Sequence, residues 1–118
     1  MIKITNSSEV SKNVRRGVRL LDREAPGWEG RVRADMLVMV SQKLCVLGQL
    51  YGDYITGLDM LNLLSEPFED MDFDKIASHG FCLNPNQYLL QSYDDLSRAW
   101  RDFIKKRRAR IAKAEPTP

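Results

Sequence analysis

Apolar positions recur at helical spacing near both ends of the chain. Val10, Val14, Val18 and Leu21 follow one another at steps of four, four and three. That spacing predicts one buried face of an amphipathic helix over about residues 8–23. Ser7 and Ser8 suit its N-cap and Glu9 its first turn, while Arg15, Arg16, Arg19 and Arg23 fall on other faces. Ala25-Pro26-Gly27 ends it, because proline cannot continue a helix and glycine accepts a turn. Towards the other end, Leu96, Ala99, Trp100, Phe103 and Ile104 repeat the pattern. Ser92 and Asp95 have capping-box spacing, and this last helix is expected to reach Ile111.

The middle of the chain is less regular. Trp28, Val32, Leu37 and Met39 read as buried positions of an irregular segment with a short helical turn capped by Asp35. The run Met36-Leu37-Val38-Met39-Val40 also fits a short strand, and periodicity does not separate the two; the helical turn is the preferred reading. Ser41 offers a cap for a helix from Gln42 to Tyr51, where Gly48 would let a second helix approach. Gly52 marks a bend or C-cap, and Gly57 argues against one unbroken helix across 42–64. Asp72 would cap a short helix with Phe73, Ile76 and Ala77 facing inward and Gly80 at its end. Asn84-Pro85-Asn86 reads as a turn. The fold class is therefore all-α: a single compact bundle-like domain of four to six helices with a long C-terminal helix. Residues 1–6 and 113–118 are expected to fray.

Length and composition agree with this. The chain has 118 residues, 43% hydrophobic and 29% charged, enough for one domain with its own core. No stretch has the roughly 18–20 apolar residues of a membrane span, and the first residues lack the apolar core of a signal peptide. Two cysteines, Cys45 and Cys82, are too few for a disulfide scaffold. Cys45, within Leu44-Cys45-Val46-Leu47, reads as a small buried hydrophobe. With His79 as the single histidine and no C-x-x-C pair, no zinc site is expected. The expected compartment is reducing and cytoplasmic.

Charge changes the picture more. The net charge is +2, yet residues 1–52 carry +4, residues 53–95 carry −8 and residues 96–118 carry +6. The basic end holds Arg98, Arg101, Lys105, Lys106, Arg107, Arg108 and Arg110, a set able to neutralise phosphates in salt-dependent nucleic-acid binding. The plainer reading is a solvated helix C-terminus, where cations meet the macrodipole. The acidic middle holds Glu69, Asp70, Asp72 and Asp74. Asp70-x-Asp72-x-Asp74 resembles the start of a calcium loop, but the sixth and twelfth positions are Lys75 and Phe81 rather than glycine and glutamate, so that reading fails. His79 beside Gly80 reads as a helix-capping histidine. Tyr54, with Tyr51, Tyr88 and Tyr93, either roofs the core or anchors an interface. No nucleophile elbow, phosphate loop or metalloprotease motif is present.

Several blocks together resemble a known family: Leu20-Leu21-Asp22-x-x-x-Pro26-Gly27-Trp28, Cys45-Val46-Leu47-Gly48-Gln49-Leu50-Tyr51-Gly52-x-Tyr54, Gly57-Leu58, His79-Gly80-Phe81 and Ala99-Trp100. The chain is similar to a small all-α family of actinobacteria and their bacteriophages, mycobacteriophages included, over about residues 18–107. It departs from that pattern at 36–44, where the family has a more polar stretch with a second cysteine. The family has no established activity, so no catalytic residue carries over. The resemblance implies a small phage-type protein acting in the cytoplasm of a bacterial host. The expected function is a non-enzymatic module that binds a host protein, without cofactor or metal. Glu69, Asp70, Asp72, Asp74 and Tyr54 are its candidate interaction residues. The alternative is a nucleic-acid-binding accessory factor using the basic helix, and the opposed charges also allow a homodimer.

Overall fold

The computed structural model describes residues 6–64, 72–83 and 93–114. Two long helices, α1 (Asn6–Glu24) and α5 (Tyr93–Ala114), frame three short ones: α2 (Val46–Tyr51), α3 (Tyr54–Met60) and α4 (Phe73–Ser78). Single 3-10 turns at Trp28–Gly30 and Ala34–Met36 follow α1. No strand occurs among the described residues. The all-α expectation holds, as does the long C-terminal helix. Both long helices run past their expected ends: Ser7 and Ser8 lie inside the first turn of α1, and α5 continues through Lys113. Asn84-Pro85-Asn86 and Ser92 lie outside the described residues.

The two long helices run in the same direction, since Gly17 faces Trp100 and Asp22 faces Arg107. Their contact needs Gly17. A Cβ there would lie 3.0 Å from the Trp100 ring and collide with the His79 carbonyl oxygen. A glycine that costs α1 about 1 kcal/mol in helix propensity is thus what admits Trp100. That indole is fully buried and stacks on Phe81 at 5.6 Å between ring centroids. It meets Trp28 edge-on at 5.9 Å and donates its N–H to the Gly80 carbonyl at 2.6 Å. Gly80, at φ 73°, brings the end of α4 within 2.9 Å of the Val14 backbone, measured from the Cβ a larger residue would carry. Val10, Val14, Val18 and Leu21 of α1 and Leu96, Trp100 and Ile104 of α5 are all buried, the faces that the periodicity predicts.

The middle of the chain departs from expectation in instructive ways. Trp28, Val32, Leu37 and Met39 are buried, but the helical turn covers only Ala34–Met36. Asp35 lies inside that turn rather than capping it, and pairs with Arg33 at 3.4 Å. Beyond it, Met36, Val38 and Val40 are exposed while Leu37 and Met39 are buried. Leu37 and Val38 link that helical turn to a second turn at Met39–Val40, closed by Ser41 N–H donating to the Val38 carbonyl at 3.0 Å, so the alternation does not come from a strand. The backbone of this segment is held instead by Met39 N–H donating to Ser97 Oγ at 2.8 Å and Val38 N–H to the Leu44 carbonyl at 3.3 Å. Ser41 caps a turn rather than a helix, accepting from Lys43 and Leu44 N–H. The helix begins at Val46, capped by the Cys45 sulfur accepting from Gly48 N–H at 3.3 Å.

Gly52 ends α2, and Asp53 starts α3 by accepting from Thr56 N–H at 2.8 Å. The close approach of these two helices falls to Gly57, whose Cβ would lie 2.6 Å from Leu47 Cβ. Gly48 faces the carbonyls of its own entry turn instead. Asp72 caps α4 as expected, accepting from Lys75 N–H, with Ile76 and Ala77 buried. Phe73 is the exception: expected inside, it is 55% exposed, because it shares a face with Ile76 and Ala77 but stands at the open end of that face, at the rim of a cavity.

Candidate functional site

The seven basic residues singled out on the C-terminal helix do not form one surface. At 100° per residue, a run of six neighbours is distributed around the whole helix, and α5 packs one side of itself against the core. Arg107 points back to α1, where its guanidinium bridges both oxygens of Asp22 at 2.6 and 3.2 Å and lies 4.9 Å over the Phe103 ring. Asp22 also accepts from the Trp28 indole N–H at 2.9 Å. Burial by itself pushes the Asp22 pKa up, but the hydrogen bonds from Arg107 and Trp28 and the arginine charge outweigh it, leaving the carboxyl below its ordinary value. Arg108 clamps the segment after α1 by donating to the carbonyls of Glu29 and Val32. Arg98 pairs with Asp95 at 3.4 Å, and Arg101 is half-buried with its Nε inside the protein.

Lys105, Lys106 and Arg110 remain exposed. Lys106 and Arg110 line a groove of about 670 Å³ between α5 and α1, together with Arg15 from α1. Its apolar surface comes from Ala99, Phe103 and Ala109, above the buried Val14, with Ser11 and Asp102 completing the lining. Three cations and one carboxylate thus surround a partly apolar cleft. Arg15 was read from the sequence only as a helix-face residue. Its charge and the i, i+4 pairing of Lys106 with Arg110 were visible there. Its place on the wall facing Lys106 and Arg110 of the same groove follows from the parallel packing of two helices separated by most of the chain.

The acidic candidates are placed apart from this groove or beyond view. Glu69 and Asp70 lie outside the described residues. Asp72 uses one carboxylate oxygen to cap α4, and Asp74 is exposed in its first turn. Tyr54 is half-buried and lines a second cavity of about 370 Å³ with Met39, Phe73, Phe81, Cys82 and Tyr93 among its walls. There burial pushes the Cys82 thiol up to about 11, despite the hydrogen bond from Tyr54, and raises the Tyr54 phenol as well. Burial likewise raises Cys45. Both cysteines are free and buried. In both, burial favours the neutral thiol over the thiolate.

His79 ends α4 as a C-cap residue. Its Nδ1 lies 2.9 Å from the Lys75 carbonyl oxygen, a distance that assigns the proton to Nδ1. That nitrogen therefore cannot take a proton from Ser78, whose Oγ is 3.3 Å away and itself donates to Lys75 at 2.7 Å. Among the described residues no cluster of three or more His, Cys, Asp or Glu side chains is arranged to hold a metal ion. No helix among them is long and apolar enough to cross a membrane. Comparison with protein-family models, with curated proteins and with solved structures yields no match for this chain. The groove between α1 and α5 is the feature on which a functional reading rests.

Proposed function

We propose that this protein is a non-enzymatic interaction module that docks an anionic segment of another protein on the α1–α5 face. The family resemblance of its sequence blocks supports a phage-type accessory protein working in a bacterial cytoplasm, with a host protein as its partner. One observation carries the reading: Arg15, Lys106 and Arg110 surround an apolar floor containing Ala99 and Phe103 in one groove. Protein interfaces combine apolar anchoring with charge complementarity in this way.

Nucleic-acid binding is the weaker alternative. It draws on the same cations, but Arg107 and Arg108 of the basic run are engaged internally, and Asp102 places a carboxylate within the groove. A phosphate backbone gains nothing from an apolar floor and is repelled by that carboxylate.

The test is capture from actinobacterial lysate on the tagged chain, with nuclease treatment, beside a Lys106→Glu/Arg110→Glu variant. A host protein retained after nuclease by the wild type and lost by the variant is the expected result. Capture that disappears with nuclease, or that the variant retains in full, would overturn the assignment to this face.

A further inference from the structure

We propose that the occupant of the α1–α5 groove is an amphipathic helix of the partner, with two acidic residues one turn apart and a basic residue on the next turn. This rests on reading the groove as a protein-docking face and adds the chemistry of the segment it takes. The lining residues of α5, from Ala99 to Arg110, span about 16 Å along the helix axis. That length matches about three turns of an opposing helix, and the wall has helical spacing rather than the even spacing of a strand.

Apolar and charged positions are sorted along it. Ala99 and Ala109 are small side chains near the two ends of the wall, and Phe103 stands between them, half-buried. Small residues allow a third helix to approach at the 8–10 Å typical of helix pairs, while Phe103 and Ala99, both half-buried, offer apolar surface for anchors at i and i+3 or i+4. Asp102, Lys106 and Arg110 follow at steps of four, so the wall presents one negative and then two positive charges on successive turns. Arg15 adds a cation from the opposite wall. No hydrogen bond or ion pair to another described residue engages Arg15, Asp102, Lys106 or Arg110. All four charges are therefore free to be matched from outside.

Complementarity then specifies the occupant. Carboxylates one turn apart meet Lys106 and Arg110, and Arg15 adds a cation from the facing wall. A lysine or arginine on the following turn meets Asp102, and an apolar stripe lies along Phe103 and Ala99. A uniformly polyanionic ligand, whether a nucleic acid or an all-acidic peptide, leaves Asp102 opposed by like charge, which costs specificity at that turn.

The experiment selects binders for the full-length chain from a displayed library of random peptides of about 16 residues, long enough for the groove. The Lys106→Glu/Arg110→Glu variant serves as counter-selection. Enriched peptides are resynthesised with a fluorophore and measured by anisotropy. The expected enrichment is an acidic pair spaced by four, a basic residue on the adjoining turn and apolar residues between. The expected loss of affinity in the double variant is at least roughly ten-fold. Asp102→Lys is expected to replace the basic position by an acidic one in a repeat selection, a specificity change that general destabilisation does not produce. Circular dichroism of each variant confirms that it is folded.

Enrichment of purely apolar or basic peptides overturns the proposal. So does an unchanged motif with Asp102→Lys, or displacement of the selected peptide by a DNA duplex with affinity equal to its own. Self-association that occupies the groove, seen as a mass that doubles with concentration and halves in the double variant, also overturns it. If the motif fails but host-protein capture still depends on Lys106 and Arg110, the docking face stands and only the helical occupant is wrong. If capture is also indifferent to them, both readings fall.

Discussion

Arg107 and Lys106 are neighbours in a run of identical charge, yet they do opposite things. The Arg107–Arg108 side of α5 is turned to the protein, where it bridges Asp22 and clamps the carbonyls of Glu29 and Val32. The Lys106–Arg110 side is turned to solvent and borders the groove. One helix thus carries a structural face and a solvent-facing one, about 100° apart at the adjacent positions 107 and 106. The number of cations in a run measures neither function; each charge must be assigned by the face it occupies.

That division can be attacked from both sides. The most damaging change is expected to be Trp100→Ala, which removes the ring joining α1, α4 and α5 together with its hydrogen bond to Gly80. A loss of about 3–5 kcal/mol is expected for a buried tryptophan, read as a collapse of the urea midpoint. Both faces of α5 should fail with it, because their relative placement depends on the packing of that helix. Arg108→Ala should cost about 1–3 kcal/mol, since it strips two backbone carbonyls of a charged donor. A stability change no larger than that of a surface lysine would place Arg108 on the wrong face.

Asp22→Asn should cost about 1 kcal/mol at neutral pH, held low by the exposure of the pair to solvent. This prediction has a pH signature. The native carboxyl lies below its ordinary value, so its contribution is present above the unfolded carboxylate pKa and is lost as pH falls through the folded one. The wild type and Asp22→Asn should therefore converge in urea midpoint under acid conditions. Persistence of the full difference there would remove the ion pair as its cause. The smallest stability effect belongs to Lys106→Glu/Arg110→Glu, within about 0.5 kcal/mol as for exposed residues without partners. The same variant should show the largest binding defect. A double variant that unfolds readily would erase the distinction between the two faces.

Much of the frame was legible from the chain. The four apolar positions of α1 and the Leu96, Trp100 and Ile104 stripe predicted both long helices and their buried sides. Local chemistry also foresaw Asp72 as a cap, His79 as a C-cap and Gly52 as a helix end. Residues 36–40 were harder, because their alternation of buried and exposed side chains is produced by two turns pinned to Ser97 and Leu44 rather than by a strand. Phe73 was misplaced for a related reason: a helix of six residues offers too little periodicity to decide which end of its face is covered. The candidate site was legible as charge but not as geometry. The sequence contains every cation of the groove, while nothing local distinguishes Lys106 from Arg107.

By itself, then, the sequence determined the class of fold, the two amphipathic helices and the absence of familiar catalytic motifs, because these depend on spacing within a few turns of chain. Tertiary structure decided which arginines became staples and which cations face outward. It brought Asp22 to Arg107 across 85 positions and placed Arg15 across the groove from Lys106 and Arg110. Those pairings depend on how two remote helices are rotated about their axes, and that rotation is set by the packing of Trp100 against Gly17, Trp28 and Phe81.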